Sequence, residues 1–407
     1  MPDQPTGDRR ATAPARAASA GMTRGLTLLF AIAGGAAVGN LYWAQPLLGV
    51  IAGSFGVTTA AAGLLVTVTQ VGYALGVFLL VPLGDTVDRR RMIPALMVLA
   101  AVFLLATSLA PAFPVLLATL ALIGVTTVAG QLLTPLAGDL ASDEQRGRVL
   151  GTVASGLMLG LLISRAISGI VADLFGWRAV FAGAAALMLV LAIVMARRLP
   201  SLPARDRVPY GSLLASVLRT VARSRQARVT VLIGGSAMCA FTLFWTGLTF
   251  LLGAEPYSYS ATAIGLVSLV GIAGAISAQR VGRLYDRGLS LPALGGGLAV
   301  ALAGLVIAGL GATSIVVVLV AVAVFSVGLQ GVQVLAQTRM LSIDPSARSR
   351  LNTVYIVGNF AGGAVGSALA GALWQTGGWT TLLLVAAVVL GFALTVWAVQ
   401  RTRALAA

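Results

Sequence analysis

The feature that most constrains this chain is where its charges are missing. Arg24 to Asp85 encloses 60 uncharged residues, Arg91 to Asp139 encloses 47, Arg287 to Arg339 encloses 51 and Arg350 to Arg401 encloses 50. Two further runs, Arg148 to Arg197 and Arg228 to Arg280, have similar lengths with a few ionisable groups inside them. One helix needs about 20 apolar residues to cross a bilayer. Each run therefore has the length of an out-and-back helical hairpin, and the six runs predict twelve spans. With 58% hydrophobic and only 10% charged residues, the composition excludes an ordinary soluble domain. The expected class is an all-α integral membrane protein.

Sidedness follows from the same clusters. If all of them are cytoplasmic, 25 of the 27 basic residues, every one an arginine, lie inside; Arg178 alone is outside and Arg165 lies in the membrane. That is the bias the positive-inside rule demands, and it puts both termini in the cytoplasm of a cell whose plasma (inner) membrane holds the protein. The net charge of +15 thus needs no nucleic-acid partner. Histidine is absent and Cys239 is the single cysteine, so no metal cluster, cofactor or internal disulfide is expected. The chain is expected to act as a monomer.

The organisation expected is a disordered tail at 1–23, a first six-helix bundle at 24–198, a linker at 199–227, a second bundle at 228–400 and a short tail at 401–407. ARAASAGM contains an A-x-A pattern, but it precedes the first apolar segment instead of following it, so no cleaved signal is expected. In the linker, Leu213, Leu214, Val217, Leu218 and Val221 make one apolar face with Arg219, Arg223 and Arg225 off it. That pattern predicts a basic amphipathic helix on the inner leaflet, with a plain tether as the bland alternative.

The two bundles are copies of one module. The stretch GRVLGTVASGLMLGLLISRAISGIVADLFGW, 147–177, recurs 202 residues later, so that Arg148 falls on Arg350, Gly160 on Gly362, Gly169 on Gly371, Gly176 on Gly378 and Trp177 on Trp379. Arg165 falls on Ser367. A second pair, PLGDTVDRRRM and GRLYDRGLS, sets Leu83 on Leu284 and Asp85 on Asp286 with an offset of 201.

Two six-helix halves, a central loop and this paired loop resemble the major facilitator superfamily of secondary transporters over essentially the whole chain after the tail. The loop pattern of that family is G-x-L-x-D-R-x-G-R-R. The second copy keeps Gly282, Leu284, Asp286 and Arg287; the first keeps Asp85 and Arg89 but has Val81, Thr86 and Asp88 at other motif positions. The resemblance implies a cytoplasmic latch between the halves built from Asp85, Arg89, Asp286 and Arg287, with Asp139 as a further candidate; helix-end charges without a switching role are the alternative. Gly151, Gly160 and Gly169 also follow an antiporter-associated glycine spacing, although Ser164, Arg165 and Ser168 replace its later residues.

Arg165 is the most informative single residue. It lies 17 residues beyond Arg148, about 25 Å of helix, which puts it past the midplane toward the outer side. Placing arginine at the centre of a span costs about 2.5–3.5 kcal/mol, so partners or water must relieve it. It is expected to face the central cavity and meet an anionic or carbonyl group of a substrate, or to tune a nearby carboxylate; the alternative is a structural tie near the outer interface. In the family, spans one, four, seven and ten line the pathway. That implies Asn40, Trp43 and Gln45 of GNLYWAQPLL, Gln131, Phe241, Trp245 and Gln333 as candidate substrate contacts, to which Tyr355 and Asn359 of span eleven add a polar face. Asn40 and Trp43 share one face of span one, Tyr42 and Gln45 another.

GNLYWAQPLL also resembles a bacterial drug and metabolite efflux branch. The function implied is alternating-access transport, with proton-coupled export of a small organic compound first and uptake or exchange of an anionic metabolite second. No acidic residue sits in the middle of a span to carry the proton. An enzyme or primary pump is not expected, since the chain has no G-x4-G-K-[ST] loop and no metal-ligand cluster. A non-transporting membrane sensor is the remaining alternative.

Overall fold

The structure, a computed structural model, describes residues 22–84, 86–200, 209–344 and 347–405; the side chains at 278, 279, 282, 283 and 286 are not described. Nearly all of the expected tail at 1–23, the first part of the linker and Asp85 therefore lie outside the described residues. Fifteen α-helices follow: α1 Arg24–Gly39, α2 Leu48–Phe55, α3 Thr59–Leu83, α4 Arg89–Ser108, α5 Phe113–Thr126, α6 Ala129–Leu140, α7 Arg146–Phe175, α8 Trp177–Arg198, α9 Tyr210–Arg223, α10 Arg225–Gly253, α11 Ala261–Val267, α12 Ile272–Asp286, α13 Ser290–Leu310, α14 Ile315–Ser342 and α15 Arg348–Gln400. The starts of α3 and α4 carry side-chain caps: Thr58 accepts from the Ala61 N–H and Asp88 from the Arg90 N–H. Among the described residues, nine helical stretches are long and apolar enough to cross a membrane, α5 and α6 counting as one stretch.

Three of the expected continuous spans, 25–52, 114–141 and 259–283, are interrupted. In the first, Pro46 has no N–H to continue the ladder and the chain passes through turns and a short 3₁₀ segment, Gln45–Leu47. The breaks in the first two stretches meet: Asn40 Nδ2 donates to Thr127 Oγ1 at 3.0 Å, and Thr127 Oγ1 donates to the Ala37 carbonyl at 2.8 Å. Backbone released from a helix inside a membrane must be met by protein in this way. In the third, Ser268 Oγ donates to the Gly265 carbonyl at 2.6 Å.

Helix α15 is 53 residues long but not one rod, because Gly378 has φ 60° inside it. The chain reverses there. Trp379 donates to the Ala308 carbonyl near one end of α13 and Trp397 to the Leu291 carbonyl near the other, so the last stretch runs antiparallel to α13. Gly176, the repeat mate of Gly378, has φ 84° and makes the matching turn between α7 and α8. Both turns need a residue without Cβ.

Packing repeats with the sequence. A Cβ added at Gly160 of α7 would sit 2.1 Å from the Gly35 carbonyl oxygen of α1, and one at Gly362 of α15 would sit 2.1 Å from the Gly235 carbonyl oxygen of α10. One turn away, Gly156 meets Ala31 and Gly358 meets Val231 at the same 2.4 Å. Helices in lipid associate by such backbone approach, because burying apolar side chains away from acyl chains gains little.

In the linker, helix α9 forms with Val217 buried and Leu213, Leu214 and Val221 half-buried; it packs on α3, α10 and α15, and Tyr210 Oη donates to the Leu79 carbonyl at 2.5 Å. Leu218 alone of that set is exposed. Helix α10 begins at Arg225, and part of the C-terminal tail is packed, Leu405 being buried with its carbonyl accepting from Arg339 Nη2.

Because overpacking a tight contact costs roughly 1–3 kcal/mol, Gly160→Val and Gly362→Val are each expected to lower the thermal unfolding midpoint of the purified protein by several degrees. Gly183, with nothing within 4 Å of an added Cβ, is the control: Gly183→Ala does not lower the midpoint, since alanine favours the helix where there is room for it. Equal midpoints for all three variants would contradict the repeat packing.

Candidate functional site

Arg165 lies on α7, 19 residues beyond its first residue Arg146, about 28 Å up the helix. Its side chain is 2% exposed and does not face lipid. The guanidinium carbon lies 4.7 Å from the Tyr42 ring centroid, 4.5 Å from that of Trp245 and 5.7 Å from that of Phe241. Tyr42 comes from the broken part of the first span, Trp245 and Phe241 from α10, so the cage joins the two halves of the chain. Desolvated cation–π contacts are worth about 2 kcal/mol or more. They offset much of the cost of burial but supply no acceptor for N–H groups in the guanidinium plane. Nε, Nη1 and Nη2 are all buried without a hydrogen-bond partner. Asp173, the acid nearest along α7, accepts instead from the Thr262 N–H at 2.8 Å.

A cavity of about 10 Å³ opens against Arg165, lined by Gln45, Trp245, Thr249 and Ser268 with Pro46, Leu248, Leu252 and Ile264. Gln45 Oε1 and Trp245 Nε1 are likewise buried without partners. Gln45, Arg165, Phe241 and Trp245 are thus brought together. The other candidates form separate groups. Trp43 Nε1 donates to Asn40 Oδ1 at 2.9 Å while Asn40 reaches Thr127, so both are engaged within the first half. Gln131 Nε2 donates to Tyr73 Oη at 3.0 Å. Gln333 Oε1 accepts from Tyr355 Oη and from Asn359 Nδ2, each at 2.8 Å.

Direct contacts between the two bundles gather at the end away from the arginine clusters, while nearer those clusters the linker helix α9 touches α3 of one and α10 and α15 of the other. On one flank Thr67 Oγ1 and Ser367 Oγ are 3.0 Å apart, and an added Cβ at Gly371 would be 2.6 Å from the Ala60 carbonyl oxygen. On the other, an added Cβ at Gly169 would be 2.1 Å from the Ala261 carbonyl oxygen, and one at Gly265 would be 2.5 Å from that of Arg165. These seals are repeat mates, since Gly169 corresponds to Gly371, Arg165 to Ser367 and Ala60 to Ala261. Near mid-depth the rings of Tyr73 and Phe360 meet with centroids 4.3 Å apart. Beyond that level, toward the arginine-rich end, no packed interface joins α4 or α6 to α12 or α14 among the described residues.

Of the expected latch, Asp85 and the side chain of Asp286 lie outside the described residues, and Arg287 is exposed. Arg89 donates through Nε to the Gly84 carbonyl at 2.8 Å and stands 3.4 Å from Asp139, so this described pair ties α4 to α6 within one half. The residue that sequence reasoning left off its candidates is Tyr42, whose signal was its place on the Gln45 face. Ser268 gave no signal, being one serine in an apolar run.

The family model for the Major Facilitator Superfamily matches residues 28–343. The uncharacterized transporter YgaY of Escherichia coli O157:H7 is 39% identical over 372 residues, covering 91% of this chain and 94% of that one. The probable transporter SCO4007 of Streptomyces coelicolor is 33% identical over 376 residues, 92% of this chain and 87% of its own. Among solved structures, a bacterial homolog of the human lysosomal transporter Spinster, inward-facing and occupied, superposes with a TM-score of 0.75 at 13% identity over 92% of this chain and 96% of that one. The nucleoside transporter NupG gives 0.74 at 12% identity over 92% and 99%. With its long apolar helices and a family match across most of its length, the chain belongs to the Major Facilitator Superfamily.

Proposed function

We propose that this protein is a secondary active transporter in which two six-helix bundles, 24–198 and 228–400, supply twelve spans and rock against each other. The arginine-rich end is cytoplasmic, and the conformation described is sealed outside and parted inside. What carries this reading is the one-sided distribution of contacts between the halves. Two repeat-related seals on opposite flanks can open together while the loops at the other end close, which is alternating access.

The solute class that fits best is a small organic anion, taken up or exchanged. Arg165 is a buried cation without a protein carboxylate, and a carboxylate or similar group on the solute would complete it. Gln45 and Trp245 add polar contacts beside it, and Gln131, Gln333, Tyr355 and Asn359 offer neutral ones nearer the cytoplasm. Proton-driven export of a small organic compound is the second reading, favoured by the glycine spacing of α7.

Proteoliposomes given an anion gradient or a pH gradient, with a panel of radiolabelled small carboxylates, separate the two. Accumulation that follows the anion gradient is expected; accumulation only under a pH gradient would favour the second. Arg165→Ala and Arg165→Lys are expected to lower transport at least about tenfold, the worth of one charged hydrogen bond, because lysine lacks the planar fork. Wild-type rates in both variants would remove Arg165 from the site. For sidedness, in a Cys239→Ala background an impermeant maleimide is expected to label Arg178→Cys in intact cells and Arg223→Cys only after lysis; the reverse pattern would invert the topology.

A further inference from the structure

We infer that the Arg165 cavity binds one monatomic anion of chloride size when the outer end is sealed. The wall of this cavity has a surplus of donors. Arg165 brings Nε, Nη1 and Nη2 and Trp245 its indole N–H, all buried and all without acceptors, and among the described residues no carboxylate lines the space. Gln45 is the third polar side chain there with an unpartnered buried atom, and its amide can present N–H as readily as C=O. A guanidinium stays charged at any physiological pH, and since the aromatic cage leaves its in-plane N–H groups unmet, an anion is the complementary ligand.

Volume selects the kind of anion. About 10 Å³ is near the lower limit for a single water, so a monatomic anion reaches the donors with a small outward shift of the lining, while a carboxylate carrying a carbon skeleton needs the halves to move apart. Water would supply an acceptor but leave the charge in a low-dielectric space, where a monovalent anion gains far more. The repeat supplies an internal comparison. At the related position Ser367 is engaged, with Thr67 Oγ1 at 3.0 Å and the Gly363 carbonyl at 3.0 Å; that flank has an unpartnered neutral amide in Gln70 but no cation, so the unmet charge belongs to one seal only.

The lining comes from both halves, Gln45 and Arg165 from the first and Trp245, Thr249 and Ser268 from the second. A ligand that touches both halves only when they meet stabilises the sealed conformation. The halide and the organic anion of the proposed cycle would then alternate on Arg165, and this consequence alone rests on the transport reading.

Binding is measured without transport, on the purified full-length protein in gluconate, by titrating chloride, bromide or sulfate at constant ionic strength and following thermal unfolding. Chloride and bromide are expected to raise the midpoint saturably by several degrees and sulfate to leave it where gluconate does. Arg165→Gln abolishes the shift, and Trp245→Phe, which keeps the ring and removes the N–H, raises the half-saturating concentration about tenfold. If Arg165→Gln does not fold, Trp245→Phe and the anomalous signal of bromide in crystals decide. No halide-specific shift, an equal shift with sulfate, or unaltered shifts in the variants would overturn the site. Halide binding without carboxylate transport would remove the carrier reading and leave the site standing; the converse would do the opposite.

Discussion

Everything in this structure depends on how closely backbones approach in a solvent that gives apolar side chains no reason to cluster. Where α7 crosses α1 and α15 crosses α10, glycine lets a carbonyl oxygen of one helix occupy the place of a Cβ on the other. The same device seals the halves against each other through Gly169, Gly265 and Gly371. Contacts made by backbone and small residues are short and have few adjustable parts. They are made or lost together, which suits an interface that must open as a unit.

Against that background Arg165 is the exception. It occupies one of the two related seals, where its mate is a serine, and it carries a charge into a region otherwise closed by glycine and alanine. Tyr42, Phe241 and Trp245 shield it, and the donors around its edge lack acceptors from the chain. On the proposed reading, a seal with an unmet cation is weaker than its partner until an anion arrives, and the asymmetry between Arg165 and Ser367 links what is bound to which end is shut.

Much of the architecture was legible because it depends on length and repetition. Charge-free runs mark the membrane-length helices, and the 202-residue offset pairs Gly160 with Gly362 and Gly176 with Gly378, which share their close contacts and turns in the structure. The interruption at 40–47 was less legible: Pro46 marks it, but the meeting of Asn40 with Thr127 depends on two breaks 87 residues apart. The amphipathic pattern of α9 was clear while its partner was not, since periodicity reports an apolar face and not whether lipid or protein covers it. The candidate site was legible in part. An arginine in a span announces itself, and the shared face of Tyr42 and Gln45 could be read at helical spacing. That Trp245 would come across from the other half, while Gln131 and Gln333 would each engage a tyrosine elsewhere, depends on tertiary packing that residue spacing does not encode.

The central claim is that the two halves must separate at the Thr67–Ser367 seal for solute to pass. Thr67→Cys and Ser367→Cys, introduced together with Cys239→Ala, place two thiols where hydroxyl oxygens are 3.0 Å apart. Oxidation to the disulfide is expected to stop solute exchange across proteoliposome membranes, and reduction to restore it. Undiminished exchange in the fully cross-linked protein would contradict the account.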